Sequence, residues 1–156
     1  MTQDALISRL RDIVGTRHVI TDERATERFR RGFRSGEGEA LCVVRPGTLL
    51  EMWRVLEACH AADTIIIAQA TNTGLTEGST PKGAYERDVV LINVSRIDGL
   101  YLLQDGAQVL SLPGASLFEL EKQLRPLGRT PHSVIGSSSI GASILGGVLI
   151  NYFCAL

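Results

Sequence analysis

Ile65-Ile66-Ile67-Ala68-Gln69-Ala70-Thr71-Asn72-Thr73-Gly74-Leu75-Thr76-Glu77-Gly78-Ser79-Thr80-Pro81-Lys82-Gly83 is the stretch whose reading decides the fold. An apolar run, Ile65 to Ala68, reads as a strand, and a long loop of small residues, hydroxyls and glycines follows at once. Without Cβ bulk, such a loop brings many backbone N–H groups close to one anion. A phosphate or pyrophosphate is the natural guest. The spacing matches neither Gly-x-x-x-x-Gly-Lys-Ser/Thr nor Gly-x-Gly-x-x-Gly. On composition alone two readings therefore stand: a generic anion cradle, or a turn-rich connection with no ligand.

Outward from this loop, the flanking segments give the topology. Leu41–Val44 reads as a short strand ending at Arg45-Pro46-Gly47. Thr48 is then a helix N-cap, and Glu51 three residues on completes a capping box. The following helix carries Leu49, Leu50, Met52, Trp53, Leu56 and Cys59 on its expected apolar side. Val89–Val94 is a run expected of a strand covered on both faces. Residues 41–94 thus read strand, helix, strand, loop, strand, and parallel pairing is the simplest topology.

Before this unit, apolar residues at Leu6, Ile7, Leu10, Ile13 and Val14 predict a helix over 5–14 closed by Gly15. Asp22–Arg31 reads as a second short helix capped by Thr21 or Asp22. After it, 100–103 and 109–112 predict a strand pair turning at Gln104-Asp105-Gly106. Ser116 is expected to cap a helix over 117–127 with Leu117, Leu120, Leu124 and Leu127 on its apolar face, closed by Gly128.

The chain has 156 residues, 44 % apolar and 21 % charged, with a net charge of −1. That suits a globular fold and argues against nucleic acid as a partner. Arg24, Arg28, Arg30, Arg31 and Arg34 read as a solvated helix face, with an anion or membrane-surface contact as the lesser reading. Cys42, Cys59 and Cys154 lack metal-ligand spacing, and no metal site is expected. The N-terminus lacks signal-peptide character, so a reducing, cytoplasmic compartment is expected. No charged side chain occurs in 133–156, but its serines and glycines make a buried or ligand-lining segment the better reading than a membrane helix.

A second small-residue segment, His132-Ser133-Val134-Ile135-Gly136-Ser137-Ser138-Ser139-Ile140-Gly141-Ala142-Ser143, repeats the chemistry of the first. Two such loops suggest one extended polar ligand held by backbone and hydroxyl donors. A dinucleotide would suit, and a flexible Ser/Gly linker is the alternative. His132 makes a poor serine-activating base, because Gly-x-Ser-x-Gly is absent and no carboxylate lies near in sequence. His18 and His60 read as surface or helix-end residues. Asp88, Asp98 and Asp105 read as turn and cap residues at strand ends. Glu77 has two readings, a contact to a ribose hydroxyl or an opponent of a nearby phosphate.

Arg31-Gly32-Phe33-Arg34-Ser35-Gly36, residues 70–81 and residues 131–143 together resemble the bacterial quinone-dependent D-lactate dehydrogenases. These are peripheral respiratory flavoproteins of the FAD-binding type shared with vanillyl-alcohol oxidase, the PCMH type. The similarity runs from about Ala5 to Gly147. It implies an α+β fold: a β-α-β subdomain followed by the start of a second α+β subdomain, with FAD between them. It implies that Ala70, Thr71, Asn72, Thr73 and Gly74 lie against the FAD pyrophosphate, with Gly78 and Ser79 continuing the cradle, and that Gly136 and Ser143 are further FAD contacts. The implied reaction oxidises D-lactate to pyruvate, with hydride passing to flavin N5 and electrons then to membrane quinone. The implied location of the full-length family is the cytoplasmic face of the inner membrane.

The resemblance also implies an incomplete domain, organised as an N-terminal helical segment (1–38), a partial FAD-binding domain (39–147) and an aberrant apolar tail (148–156). Family members are several times longer. After Gly147 they continue with an Asn-Asn-Ser-Gly-Gly-like stretch, of which only Asn151 falls on an expected asparagine here. No catalytic residue for lactate can be assigned. Three readings follow: an FAD-binding piece inactive alone, a non-enzymatic nucleotide or phosphate module, or a truncation product whose apolar tail promotes self-association.

Overall fold

The structure, a computed structural model, describes residues 1–74, 77–131 and 142–144. It divides into two compact units, Met1–Arg96 and Ile97–Leu156. The sequence expectations for 145–156, including the tail, lie outside the described residues.

The first unit opens with α1 (Gln3–Val14), capped by the Thr2 hydroxyl accepting from the Ala5 N–H and closed at Gly15 with φ 85°. Strand β1 (Val19–Ile20) and helix α2 (Glu23–Arg30) follow, the latter capped by Asp22. Then come β2 (Cys42–Val44), α3 (Leu49–Ala61), β3 (Ile65–Gln69) and β4 (Val89–Asn93). The sheet order is β1-β2-β4-β3. Strand β4 pairs in parallel with both β2 and β3, while β1 pairs antiparallel with β2. The chain thus leaves β2, crosses through α3 to the far edge and returns to fill the middle. All five residues of β4 are buried, which is why that run carries apolar residues at consecutive positions.

Each face of the sheet has its own cover. Phe29 of α2 packs with Val43 and Leu91, joined by Ile20, Ala40 and Ile67. Strand alternation turns Cys42, Val44, Val90 and Ile92 to the other face. There α1 packs against α3 and β2, and the buried residues are Leu6, Leu10, Val14, Val55, Ala58 and Cys59.

The capping box forms with a shift. The Thr48 hydroxyl accepts from the Glu51 N–H at 3.0 Å, but the Glu51 carboxylate accepts from Gly47 rather than from Thr48 itself, at 2.7 Å. The expected apolar side of α3 holds for Cys59, which faces the core, but Leu49, Leu50 and Trp53 are exposed, and Val55 and Ala58 are buried in their place. The helix is apolar on more than one side, and its smaller residues sit at i, i+3 and i+4, which lets it approach its neighbours closely.

The second unit contains the antiparallel pair β5 (Leu100–Leu103) and β6 (Gln108–Ser111). Gln104, Asp105 and Gly106 all take positive φ in the turn. Ser116 caps α4 (Leu117–Leu124), and a 3₁₀ turn, Arg125–Leu127, carries the chain to Gly128 in the left-handed region. Its core is Ala115, Leu117, Leu120, Leu124 and Ile144, with Leu100, Leu102 and Val109 packed against it. Leu127, expected on the apolar face, is instead exposed, because the 3₁₀ turn with Pro126 rotates it off the α-helical stripe.

Candidate functional site

The carboxyl ends of the parallel strands β2, β4 and β3 lie along one edge of the sheet, the edge where open α/β sheets bind ligands. The loop that begins at Ala70 leaves the sheet from this edge. Gln69, Asn93 and Thr80 are buried polar residues beside it.

Within the loop, Asn72 adopts φ 56°, a left-handed conformation that Asn tolerates better than most residues. Its side chain is fully committed. Nδ2 donates to the Arg31 carbonyl at 2.8 Å, with a longer contact to the Arg28 carbonyl at 3.5 Å, and Oδ1 accepts from Ser79 Oγ at 2.9 Å. The loop is therefore tied to the C-terminal end of α2 and closed on itself.

Residues 31–39 form a neighbouring wall. The Gly32 N–H donates to the Gly36 carbonyl at 2.8 Å, and Gly83 exchanges bonds with Glu37 and Glu39. Gly36 has φ 87°, and a Cβ there would meet Thr80 Oγ1 at 2.5 Å, so only glycine allows this approach. Arg30 is drawn out of the solvated arginine face. It donates to Thr26 Oγ1 at 3.1 Å and to the Gly38 carbonyl at 3.0 Å. Arg24, Arg28, Arg31 and Arg34 are exposed, as a solvated face requires.

Glu77 is occupied within the protein. Its carboxylate is held below the usual carboxylate range first by a hydrogen bond from Ser35 and then by Lys82. Lys82 Nζ lies 3.0 Å from it. A paired Glu77 adds little net repulsion to an anion in the loop.

Two features suit the loop to an anion. Among the described residues, the backbone N–H groups of Ala70, Thr71, Asn72, Thr73, Gly74, Gly78 and Ser79 have no hydrogen-bond acceptor. A Cβ built on Gly74 or Gly78 would meet no atom within 4 Å, so bare backbone faces open space at both positions. Amide N–H groups without acceptors, uncovered at the two glycines, are the kind of donor a backbone anion nest uses.

Of the other residues singled out in the sequence, Ser143 is buried and forms an antiparallel bridge with Ser116 in the second unit. Gly136 and His132 lie outside the described residues. Cys42 and Cys59 are free and buried, as expected of small apolar residues. Burial pushes the Cys42 thiol up to about 12. Among the described residues no group of His, Cys, Asp and Glu could hold a metal ion. No helix among them is long and apolar enough to cross a membrane.

Sequence reasoning missed Gln69 and Asn93. The signal was present, as single carboxamides at the ends of two otherwise apolar strands.

The chain is similar to known proteins at two levels. It is 60 % identical over 148 residues to the quinone-dependent D-lactate dehydrogenase of Escherichia coli K12, covering 94 % of this chain and 26 % of that protein. Against the Haemophilus influenzae enzyme of the same name it is 58 % identical over 152 residues, covering 97 % and 27 %. The chain thus spans about a quarter of the length of these relatives. Among solved structures, an alkyldihydroxyacetonephosphate synthase superposes with a TM-score of 0.81 at 18 % identity, covering 94 % of this chain and 29 % of that one. A p-cresol methylhydroxylase superposes with a TM-score of 0.76 at 13 % identity, with the same coverage. At such identities the superpositions establish the fold alone. The family model described as FAD binding domain matches residues 40–152, and the chain belongs to that family, whose cofactor is FAD.

Proposed function

We propose that the loop 70–79 holds the pyrophosphate of FAD, and that the chain is the FAD-binding portion of a respiratory D-lactate dehydrogenase that passes electrons to quinone. One observation carries this reading: seven backbone N–H groups, at 70–74, 78 and 79, lack acceptors among the described residues, with no Cβ over Gly74 or Gly78. A pyrophosphate presents acceptor oxygens to such a set without needing a cationic side chain. The assignment of Gly136 and Ser143 as further flavin contacts rests on the sequence resemblance. FAD, when bound, would supply a two-electron hydride acceptor for the oxidation of D-lactate to pyruvate. This chain's own residues orient it, and no residue here is assigned to lactate.

Within this reading residues 39–147 form the FAD-binding part, 1–38 a helical segment before it and 148–156 a tail. Cytoplasmic residence, with the full-length protein peripheral on the inner membrane, follows from the same reading. Self-association through the uncharged tail is a further consequence, and a sedimentation coefficient that rises with concentration is its sign.

The test is retention of flavin. The chain is mixed with FAD and passed through gel filtration, and visible flavin absorbance is recorded across the protein peak. Co-elution supports the proposal, and a colourless, folded protein peak refutes it. Calorimetric titration separates FAD from ADP: comparable affinity for both would favour a plain nucleotide module.

A further inference from the structure

Gln69 and Asn93 occupy facing register positions at the carboxyl ends of β3 and β4, and they are only 2 % and 3 % exposed. Buried carboxamides are costly unless every polar atom is paired. Here all four side-chain N–H hydrogens have acceptors. Gln69 Nε2 donates to the Phe29 carbonyl at 2.8 Å and to the Ser79 carbonyl at 2.7 Å. Asn93 Nδ2 donates to Gln69 Oε1 at 3.2 Å and to the Ala70 carbonyl at 2.8 Å. Asn93 Oδ1 in turn accepts from the Ser95 hydroxyl and N–H. The direction of the ladder is therefore fixed, since neither amide can flip without setting donor against donor.

The ladder continues into the loop. Ser79 is held through its carbonyl by Gln69 and through its hydroxyl by Asn72, and Asn72 reaches the Arg31 carbonyl. Four amide and hydroxyl side chains thus span the start of the loop at Ala70, its return at Ser79 and the end of α2. What they capture from the loop backbone is carbonyl oxygen, at Ala70 and Ser79. What they leave without an acceptor among the described residues is N–H, at 70–74, 78 and 79. An anion site needs that selection, because a loop free to turn a carbonyl toward the anion would repel it.

We propose that Gln69 and Asn93 are positioning residues for the cofactor: with Asn72 and Ser79 they form a relay that presets the backbone at 70–74, 78 and 79 as a pyrophosphate cradle and couples it to the end of α2. The inference rests on the reading that this loop holds the pyrophosphate. Gln69 and Asn93 act through the loop backbone, whose conformation would otherwise have to be ordered at the moment of binding. Partners that orient ligands from behind in metal sites are worth about 10- to 100-fold in affinity, and an effect of that order is expected here.

The test uses Gln69→Glu and Asn93→Asp, which keep side-chain shape but set a carboxylate oxygen against a backbone carbonyl. Ser79→Ala is the milder variant that carries the test if either of the first two fails to fold. Dissociation constants for FAD and for ADP are measured at a temperature where circular dichroism shows each variant folded. The expected result is a loss of about 10- to 100-fold for the carboxylate variants and less for Ser79→Ala, by the same factor for both ligands, because both present the same pyrophosphate. Folded variants that bind FAD and ADP like the unsubstituted chain would overturn the relay while leaving the cradle standing, as would a loss confined to FAD. An unsubstituted chain that binds neither ligand would overturn the cradle and the relay with it.

Discussion

Asn72 Nδ2 donates to the carbonyl of Arg31 at 2.8 Å, joining residues 41 positions apart in the chain. The contact ties the small-residue loop to the end of α2 and uses the Asn72 side chain for structure. Its backbone N–H has no acceptor among the described residues. Under the proposed reading, Asn72 would serve the cradle through side chain and backbone alike, two roles that the sequence did not separate. Asn72→Ala is expected to weaken FAD binding and to lower stability by about 1 kcal/mol, with the loss of its hydrogen bonds. Thermal melts with and without FAD check both effects.

Gly74 offers a cleaner separation of folding from binding. Its φ is not positive, and a Cβ there meets no protein atom within 4 Å. Gly74→Ala is therefore expected to leave the apo-protein as stable or stabilise it by up to about 1 kcal/mol, through the lower entropy of the unfolded chain. FAD affinity is expected to fall at least about tenfold, or ~1.4 kcal/mol, because the methyl group enters the ligand's space. Equal FAD affinity in the variant would place the ligand elsewhere.

His18 gives an acid-side prediction. Burial, followed by the positive charges of Arg96, Arg17 and Arg45, lowers its pKa from the ordinary 6.5. Its Nε2 accepts from Arg17 Nε at 2.9 Å, so the neutral ring is the form that the structure uses. The unfolded chain binds the proton more readily, so the stability contributed by neutral His18 is lost as pH falls below about 6.5. The melting temperature is expected to drop between neutral pH and pH 5.5, and to drop less in His18→Gln. Identical pH profiles would contradict this role.

Cys42 gives the alkaline counterpart. With its thiol raised to about 12 from 9.0, the contribution of neutral Cys42 is complete below 9 and lost as pH rises toward 12. The native protein is expected to leave Cys42 and Cys59 unlabelled by iodoacetamide at pH 8, with labelling appearing in urea. Peptide mass spectrometry reads the outcome directly, and rapid labelling of either residue in the folded protein would contradict their burial.

Much of both units was legible because local signals agreed. Asp22 and Thr48 in the first unit and Ser116 in the second cap the helices expected of them, and the apolar run that opens at Val89 is an inner strand of the sheet. Three features were not legible, each for a physical reason. β1 is two residues long, too short for a period to show, and exists through its pairing with β2. The face of α3 was assigned only in part: Cys59 is buried as expected, but Leu49, Leu50 and Trp53 outweigh Val55 and Ala58 in hydrophobicity, while packing favours the smaller pair. The relay of Gln69, Asn93, Ser79 and Asn72 joins residues distant in sequence, so it becomes visible only when parallel pairing brings Gln69 beside Asn93. The proposed cradle shows in the sequence only as a small-residue composition. That its N–H groups lack acceptors among the described residues is a property of the folded backbone.

The most direct measurement of the central claim is a ¹H–¹⁵N correlation spectrum of the chain titrated with FAD, since the proposed ligands are amide N–H groups. The amides of Ala70, Thr71, Asn72, Thr73, Gly74, Gly78 and Ser79 are predicted to show the largest shifts in the first unit, saturating with the FAD affinity found by calorimetry. Saturable FAD binding that leaves these seven amides unshifted would contradict the account.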